Sequence, residues 1–146
     1  MFAFWFIIKL AYLLIPGKNY FVYTNNGLQN QFVLNILSDL KGEPKSFLDP
    51  NKMSADGTVN ISAVTASHNG KNLAYTMSKA GSDWEEIHVI NIETGFQFND
   101  KLEYVKFSGI EWQGPGFYYS RYDAPDSSNL LKGKNEFHKV SHNILH

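Results

Sequence analysis

Residues 72–95 read NLAYTMSKAGSDWEEIHVINIETG, and they form the clearest hairpin pattern in the chain. An apolar-rich run at 73–77 and a run rich in β-branched side chains at 87–92 flank a short polar segment. Such side chains pack well on a pleated surface. In the polar segment Gly81 can adopt a positive φ, and Ser82 can hydrogen-bond the nearby backbone. We therefore predict two antiparallel strands joined by a turn.

The alternation of strand-like runs and turn signals continues on both sides of this hairpin. Asn-Gly at 26–27 and Asp-Gly at 56–57 are turn signals, because Asn, Asp and Gly tolerate the left-handed conformation. No heptads or amphipathic helical periods accompany them. The remaining predicted strands are residues 19–24, 31–37, 45–48, 59–66, 105–112, 117–122 and 136–142.

The order of strands and turns indicates three repeats of one structural unit. Phe21, Leu73 and Phe117 occupy equivalent positions and lie 52 and 44 residues apart, close to the repeat length of about 40–50 residues in propeller blades. Each blade is a small antiparallel sheet that buries its faces against its neighbours. The sequence therefore predicts an all-β fold, a partial β-propeller of about three antiparallel blades. Blade faces left exposed could support self-association.

Composition narrows the classes of protein and partner. The chain has 146 residues, of which 43% are hydrophobic and 15% aromatic, so it can form a domain core and is not disordered. The net charge is −1 without any basic block, which argues against a nucleic-acid partner. The absence of cysteine excludes disulfides and thiolate metal sites. It leaves the compartment open between cytoplasm and periplasm.

The first fifteen residues, MFAFWFIIKLAYLLI, are apolar except for Lys9. Because a membrane span needs about 20 apolar residues and a signal peptide carries its charge ahead of the apolar run, Lys9 weakens both interpretations. An export signal or membrane anchor stays an alternative to a nonstandard start that precedes the domain, which we prefer. We divide the chain into an apolar segment of unclear role, 1–16, and the partial propeller, 17–146.

The sequence contains no constellation typical of catalysis or metal binding. The nucleophile elbow G-x-S-x-G does not occur, and Ser82 is better explained as a turn residue that bonds its own backbone. His138, His142 and His146 are spaced four apart, which would align three imidazoles only on a helix. A strand is predicted there instead. We predict no catalytic residue, no metal site and no cofactor.

Two further groups of side chains have a structural and a functional interpretation. Trp84 and Trp112 could stack on a sugar or peptide, although packing between blades is the interpretation we favour for both. Asp83, Glu85 and Glu86 form an acidic cluster, which we interpret as a solvated blade edge.

Short motifs between residues 17 and 140 carry a resemblance to a known family. They are GKNYF at 17–21, NGLQNQ at 26–31, FLDPN at 47–51, DGT at 56–58, GSDW at 81–84, VKFS at 105–108 and NEFHKV at 135–140. In this order they resemble the N-terminal propeller section of prolyl oligopeptidases. Only the two ends of the chain depart from the pattern.

The resemblance implies a serine peptidase that cleaves short peptides after proline. In that family a seven-bladed propeller caps an α/β-hydrolase domain and restricts entry to small peptides, while the catalytic triad lies in the hydrolase domain. We therefore interpret the chain as a fragment of such an enzyme, inactive by itself. The resemblance also implies that Phe107, in VKFS, lines the outer apolar part of the substrate pocket; packing between blades is the alternative. A different function, a non-catalytic interaction module that is exported or membrane-anchored, stays open.

Overall fold

The computed structural model describes residues 19–124 and 138–145, together with the backbone of residues 8–14. These ranges contain ten β-strands and one short 3₁₀ helix, and no α-helix occurs among them. The chain divides into two compact units, Met1–Asn60 and Ile61–His146, and each is described by itself. The prediction of an all-β chain is confirmed.

The first unit is a four-stranded antiparallel sheet in which strands adjacent in sequence are adjacent in space. Its second to fourth strands lie within two residues of the predicted ones. Between the second and third strands, the Asn25 side chain accepts a hydrogen bond from the Gly27 N–H at 2.7 Å. Gly27 has a φ of 84°, as the Asn-Gly signal requires. The strands are β1 (Ile8–Leu14), β2 (Tyr20–Asn25), β3 (Val33–Leu37) and β4 (Lys45–Leu48).

The strand β1 adds to what was predicted, because its backbone pairs antiparallel with β2 from Ile8↔Asn25 to Leu14↔Tyr20. The predicted start of the propeller section was residue 17, so the structure places one further strand of the same sheet before that position. An apolar run with a single charge is as compatible with a strand as with a hydrophobic segment of other kinds. No helix in the described part of the chain is long and apolar enough to cross a membrane.

A 3₁₀ helix of three residues, Pro50–Lys52, follows β4 and ties the loops of the first unit together. The Asp49 carboxylate accepts the Asn51 N–H at 3.1 Å and thereby caps the helix. The Asn51 amide then binds the backbone of Gln31 in both directions, at 2.9 and 3.0 Å. The Asp-Pro-Asn sequence is therefore structural here.

The core of the first unit includes side chains from both faces of its sheet, since the neighbouring residues Phe21 and Val22 are both buried. Its members are apolar side chains with at most 5% of their surface exposed, apart from Asn35, which bonds Thr24 at 2.8 Å. They are Phe21, Val22, Val33, Leu34, Leu37, Leu48 and Val59.

The second unit is a six-stranded antiparallel meander. The predicted hairpin is present as its second and third strands, which pair without a break from Asn72↔Asn91 to Ser78↔Glu85. Ala80 and Gly81 adopt φ values of 52° and 69° in the turn between them. The strands are β5 (Asn60–Ala66), β6 (Asn72–Ser78), β7 (Glu85–Asn91), β8 (Leu102–Gln113), β9 (Gly116–Arg121) and β10 (Lys139–Ile144). The first part of the last predicted strand lies outside the described residues.

Strand β8 divides this sheet into two groups. Its first part pairs with β7 from Leu102 to Val105. It pairs with β9 at Val105 and, after a shift of register, again from Ile110 to Gln113. One group therefore consists of β5, β6, β7 and the start of β8, and the other consists of the end of β8 with β9 and β10. Together with the sheet of the first unit, this gives three groups of antiparallel strands, the number predicted from the repeat.

The core of the second unit is a cluster on β6 to β9. Trp112 belongs to it with 3% of its surface exposed, and its indole N–H donates to the Thr65 carbonyl at 3.0 Å. The packing interpretation of Trp112 is thus correct. The cluster consists of Ala74, Ile87, Val89, Val105, Ile110, Trp112, Phe117 and Tyr119.

Candidate functional site

The turn between β6 and β7 is held by its own backbone and by Ser82. The Ser82 N–H donates to the Lys79 carbonyl at 3.0 Å, and the Ser82 hydroxyl accepts the Trp84 N–H at 3.1 Å. The hydroxyl therefore has the turn role predicted for it, and it has no base beside it in the described residues. This turn delivers Trp84 to the surface at the start of β7.

A bulge in β8 brings Phe107 to the same region. Between Val105 and Ile110, β8 uses five residues where β9 advances only from Arg121 to Tyr119. In a regular strand residues five apart face opposite sides, yet Val105 and Ile110 are both buried. The extra residues of the bulge turn the Ile110 side chain back toward the core, and the segment between Val105 and Ile110 bulges out of the strand.

The bulge contains strained backbone, because Phe107 has a φ of 54° and Tyr104, just before it, has a φ of 61°. This conformation costs a non-glycine residue about 1–2 kcal/mol. Ser108 compensates in part, since its hydroxyl accepts the Ser120 N–H at 2.7 Å, a bond that the interrupted ladder does not make. Strained positions of this kind concentrate where a side chain must be held in a particular direction.

Lys106 connects the bulge with the turn. Its ammonium lies 3.5 Å from the Asp83 carboxylate, 5.4 Å from the centre of the Trp84 ring and 5.2 Å from the centre of the Phe107 ring. Both rings are within cation–π distance of the same charge. The structure therefore brings the adjacent residues Lys106 and Phe107 together with Trp84, which lies more than twenty residues earlier in the sequence.

The two aromatic rings in this group are exposed. Phe107 has 79% of its surface exposed and Trp84 has 37%, although the Trp84 ring edge also contacts Tyr122 with 5.6 Å between ring centres. The favoured interpretation of Trp84 as a core side chain is thus wrong, because the residue stands in the turn before β7 begins. Phe107, the one substrate-contacting residue expected from the sequence, is an exposed side chain at the crest of the bulge.

Beside these rings lies a cleft of about 330 Å³, which we call the Trp84 cleft. Its apolar walls are Met77, Trp84 and Tyr104, and its volume is at the lower end of the range for small-ligand sites. Three carboxylates and one ammonium also line it. The complete lining is Met77, Lys79, Ser82, Trp84, Glu85, Glu86, Glu103 and Tyr104.

Glu86 is the most constrained of these carboxylates. It lies 3.1 Å from the Lys101 ammonium and 3.2 Å from the His88 ring nitrogen. Burial works to raise the pKa of Glu86, but the hydrogen bonds from Lys101 and His88 and the charges of Lys101 and Lys79 outweigh it, so the pKa lies below its ordinary value. Glu103 shares the same Lys101 at 2.6 Å, and the two carboxylates raise the pKa of Lys101.

Glu85 differs from its neighbour, because no lysine or arginine of the described residues lies within ion-pair distance of its carboxylate. It accepts a hydrogen bond from the Ser62 hydroxyl, which also bonds Thr76. The expected solvated edge is therefore found only at Asp83. Glu85 and Glu86 are half-buried on β7, an inner strand of the sheet between β6 and β8.

The histidines do not assemble into a site. His142 lies on strand β10 and stacks on Tyr118 with 4.4 Å between ring centres, and His138 stacks on Tyr122 at 4.8 Å. The third histidine of the spacing, His146, lies outside the described residues. Within the described ranges, no three His, Asp or Glu side chains are placed to hold a metal ion.

Three contributors to this surface escaped sequence analysis: Tyr104, Lys106 and the ion pairs of Lys101. No feature of the sequence predicts the positive φ of Tyr104, because non-glycine residues seldom adopt it. Gly109 was the one residue in this strand that indicated an irregularity such as a bulge. The Lys-x-Glu spacing at 101 and 103 was the available signal for the charges.

Comparison with known proteins shows which part of longer relatives these residues match. The family model described as "Prolyl oligopeptidase, N-terminal beta-propeller domain" matches residues 9–146. The prolyl endopeptidase of Elizabethkingia miricola is 41% identical over 137 residues, which is 93% of this chain and 19% of that protein. Prolyl oligopeptidase A of Amanita bisporigera is 35% identical over 147 residues, 84% of this chain and 19% of that protein.

Solved structures agree with this assignment. Prolyl oligopeptidase B of Galerina marginata, bound to a 35mer hydrolysis and macrocyclization substrate, superposes with a TM-score of 0.82 at 26% identity, over 94% of this chain and 22% of that one. A structure from a study of two prolyl endopeptidases has a TM-score of 0.84 at 24% identity, over 97% and 21% of the chains. The fold is therefore part of a β-propeller, as predicted. The chain spans about a fifth of the length of the relatives it matches.

Proposed function

Because this chain belongs to the prolyl oligopeptidase family and matches its N-terminal β-propeller domain, we propose that it forms part of the substrate-gating propeller of a serine peptidase that cleaves short peptides after proline. The observation that carries the proposal is the 41% identity to a prolyl endopeptidase over 93% of this chain. The substrates in this proposal are short proline-containing peptides.

The chemistry of bond cleavage is assigned to a hydrolase domain that these 146 residues do not contain. The sequence has no nucleophile elbow, and the one serine beside an acid, Ser82, uses its hydroxyl in a turn. The role proposed for these residues is therefore selection and positioning of the peptide. Such a role acts on access and on binding rather than on the chemical step.

Phe107 is the residue proposed to contact the peptide. An exposed aromatic ring at a bulge offers a rigid apolar surface against which a proline or another apolar residue can pack. The bulge, where Phe107 has a φ of 54°, places the ring at the surface, and the Lys106 ammonium lies 5.2 Å from the ring centre. Support comes from the exposure of the ring, which leaves it accessible to a peptide.

A chimera tests the proposal. In the Elizabethkingia miricola enzyme the segment that matches is replaced by residues 9–146 of this chain, and kcat/KM is measured for a chromogenic proline dipeptide and for a 30-residue proline-containing peptide. The chimera should cleave the short substrate within about tenfold of the parent and retain the parent's preference for it over the long one. Phe107→Ala in the chimera should raise KM about threefold with kcat nearly unchanged, since it removes binding common to ground and transition states.

The matched control is Tyr118→Ala, which truncates another exposed aromatic ring, 40% exposed, on the regular strand β9. It should leave KM within about 1.5-fold of the unsubstituted chimera. A folded chimera that cleaves the long peptide as readily as the short one would contradict the gating role. An equal rise of KM in both variants would contradict the assignment of Phe107 alone.

A second function is favoured by one observation, the exposure of β10. Val140 has 75% and Ile144 has 46% of its surface exposed, and in the described part of the chain β10 pairs only with β9. Such an edge can accept a strand from another copy, which is the interaction-module alternative. Light scattering of the 146-residue chain at rising concentration tests self-association. A molecular mass that stays at the monomer value would exclude the interaction-module function.

A further inference from the structure

The Trp84 cleft lies next to the side chain proposed to contact the peptide. Lys106 is within 5.5 Å of the ring centres of both Trp84 and Phe107, so a peptide residue packed on Phe107 has a neighbour within reach of the cleft. The walls Met77, Trp84 and Tyr104 are apolar and suit an unbranched aliphatic stem. The cleft volume of about 330 Å³ accommodates one long side chain.

The charges around the cleft select the end group of that side chain. Glu86 and Glu103 share Lys101, and Lys79 acts on Glu86 as well. Glu85 has a hydroxyl partner but no cationic one among the described residues. The lining therefore carries one carboxylate whose charge the neighbouring ammonium groups do not balance.

We propose that the Trp84 cleft binds a lysine or arginine side chain of the peptide, with its stem on Met77 and Tyr104 and its cation at the Glu85 carboxylate. The inference rests on the proposed peptide-gating function and adds to it a preference for peptides with a basic residue near the proline. A carboxylate without a cationic partner among the described residues, beside apolar walls, fits a cation on a flexible apolar stem better than a neutral or acidic side chain.

The test compares two acetylated, amidated tetrapeptides, Lys-Ala-Gly-Pro and norleucine-Ala-Gly-Pro, which differ in the ammonium group alone. Dissociation constants are measured by NMR titration of the 146-residue chain in 50 mM salt. The lysine peptide should bind about fourfold more tightly, the size expected for one partly exposed ion pair. In 500 mM salt the difference should shrink, since the interaction is screened.

Variants assign the preference to one side chain. Glu85→Gln keeps a hydrogen-bond acceptor for Ser62 and should bring the two affinities within about 1.5-fold of each other. Glu93→Gln, which removes an exposed carboxylate from the turn after β7, should retain the fourfold difference. The Glu85→Lys variant should bind the peptide Glu-Ala-Gly-Pro more tightly than the peptide Lys-Ala-Gly-Pro. A loss of folding cannot produce this reversal of preference.

Equal binding of the lysine and norleucine peptides to the unaltered chain, or no binding of either, would overturn the inference. A fourfold difference that survives Glu85→Gln would overturn the role of Glu85. Neither result touches the gating proposal, which depends on the ratio of short to long peptide cleavage in the chimera and not on the charge of the peptide.

Discussion

The β6–β7 hairpin and strand β8 lie side by side in one sheet, yet they differ in regularity. The hairpin pairs through seven consecutive positions without a shift, whereas β8 breaks register with both of its neighbours and carries two non-glycine residues at positive φ. Both elements contribute side chains to the core, and the irregular one in addition places Phe107 at the surface. The side chain proposed to contact the peptide thus lies where the ladder is interrupted.

The largest effect should come from the regular hairpin. Leu73 on β6 is fully buried, so Leu73→Ala should lower the free energy of unfolding by about 3 kcal/mol through lost burial and the cavity left behind. Urea denaturation measures it. The control Leu28→Ala, at a leucine that is 85% exposed, should change the value by less than about 0.5 kcal/mol. Similar losses in both variants would show that the hairpin core is not the stabilising element.

Glycine and alanine substitutions should rank in opposite order of stability in the bulge and in a regular strand. At Phe107, where φ is 54°, glycine should be more stable than alanine by about 1 kcal/mol, because alanine keeps the strain that glycine relieves. At Tyr118, on the regular strand β9, glycine should be less stable than alanine by about 0.5–1 kcal/mol. The four variants are compared by urea denaturation. The same order at both sites would mean that the bulge is not strained.

The smallest effect should be a pH dependence of stability that arises from Glu86, whose carboxylate pairs with Lys101 and His88. The pKa of Glu86 is below its ordinary value of 4.5, so this carboxylate stabilises the fold above that pH, and the contribution is lost as the pH falls through the lowered value. Since Glu86 is partly exposed, the loss should be under about 1 kcal/mol.

Thermal unfolding between pH 7 and pH 3 measures this contribution when Glu86→Gln is compared with the unsubstituted chain. The substituted chain should lose less stability on acidification, and Glu93→Gln should behave like the unsubstituted chain. Identical pH profiles of all three chains would show that the Lys101 and His88 contacts do not stabilise the folded state.

The regular strands could be predicted because their causes are local. Alternation of β-branched and aromatic side chains predicted β6, β7 and β9 within one or two residues, and Asn-Gly at 26–27 predicted its turn. The bulge of β8 has no such local cause. Val105, Lys106 and Phe107 read as a continuous strand, and only the register against β7 and β9 shows where the extra residues stand.

The candidate site was predictable in part. Phe107 was named because of the VKFS motif, and its contact with the peptide stays a prediction. Trp84 was assigned to packing between blades because β-propellers repeat aromatic positions, but it stands in a turn and has 37% of its surface exposed. Glu85 and Glu86 looked equivalent in sequence, and they differ in their partners, because Glu86 pairs with Lys101 and His88 whereas Glu85 accepts a hydrogen bond from Ser62.

The sequence by itself determined the all-β class, the three groups of strands and the family, since periodicity, turn residues and short motifs are local properties of the chain. Tertiary structure alone decided that Phe107, Lys106, Trp84 and Glu85 share one surface. That grouping depends on strand register and on backbone strain, which arise when separate segments pair and which no single segment records.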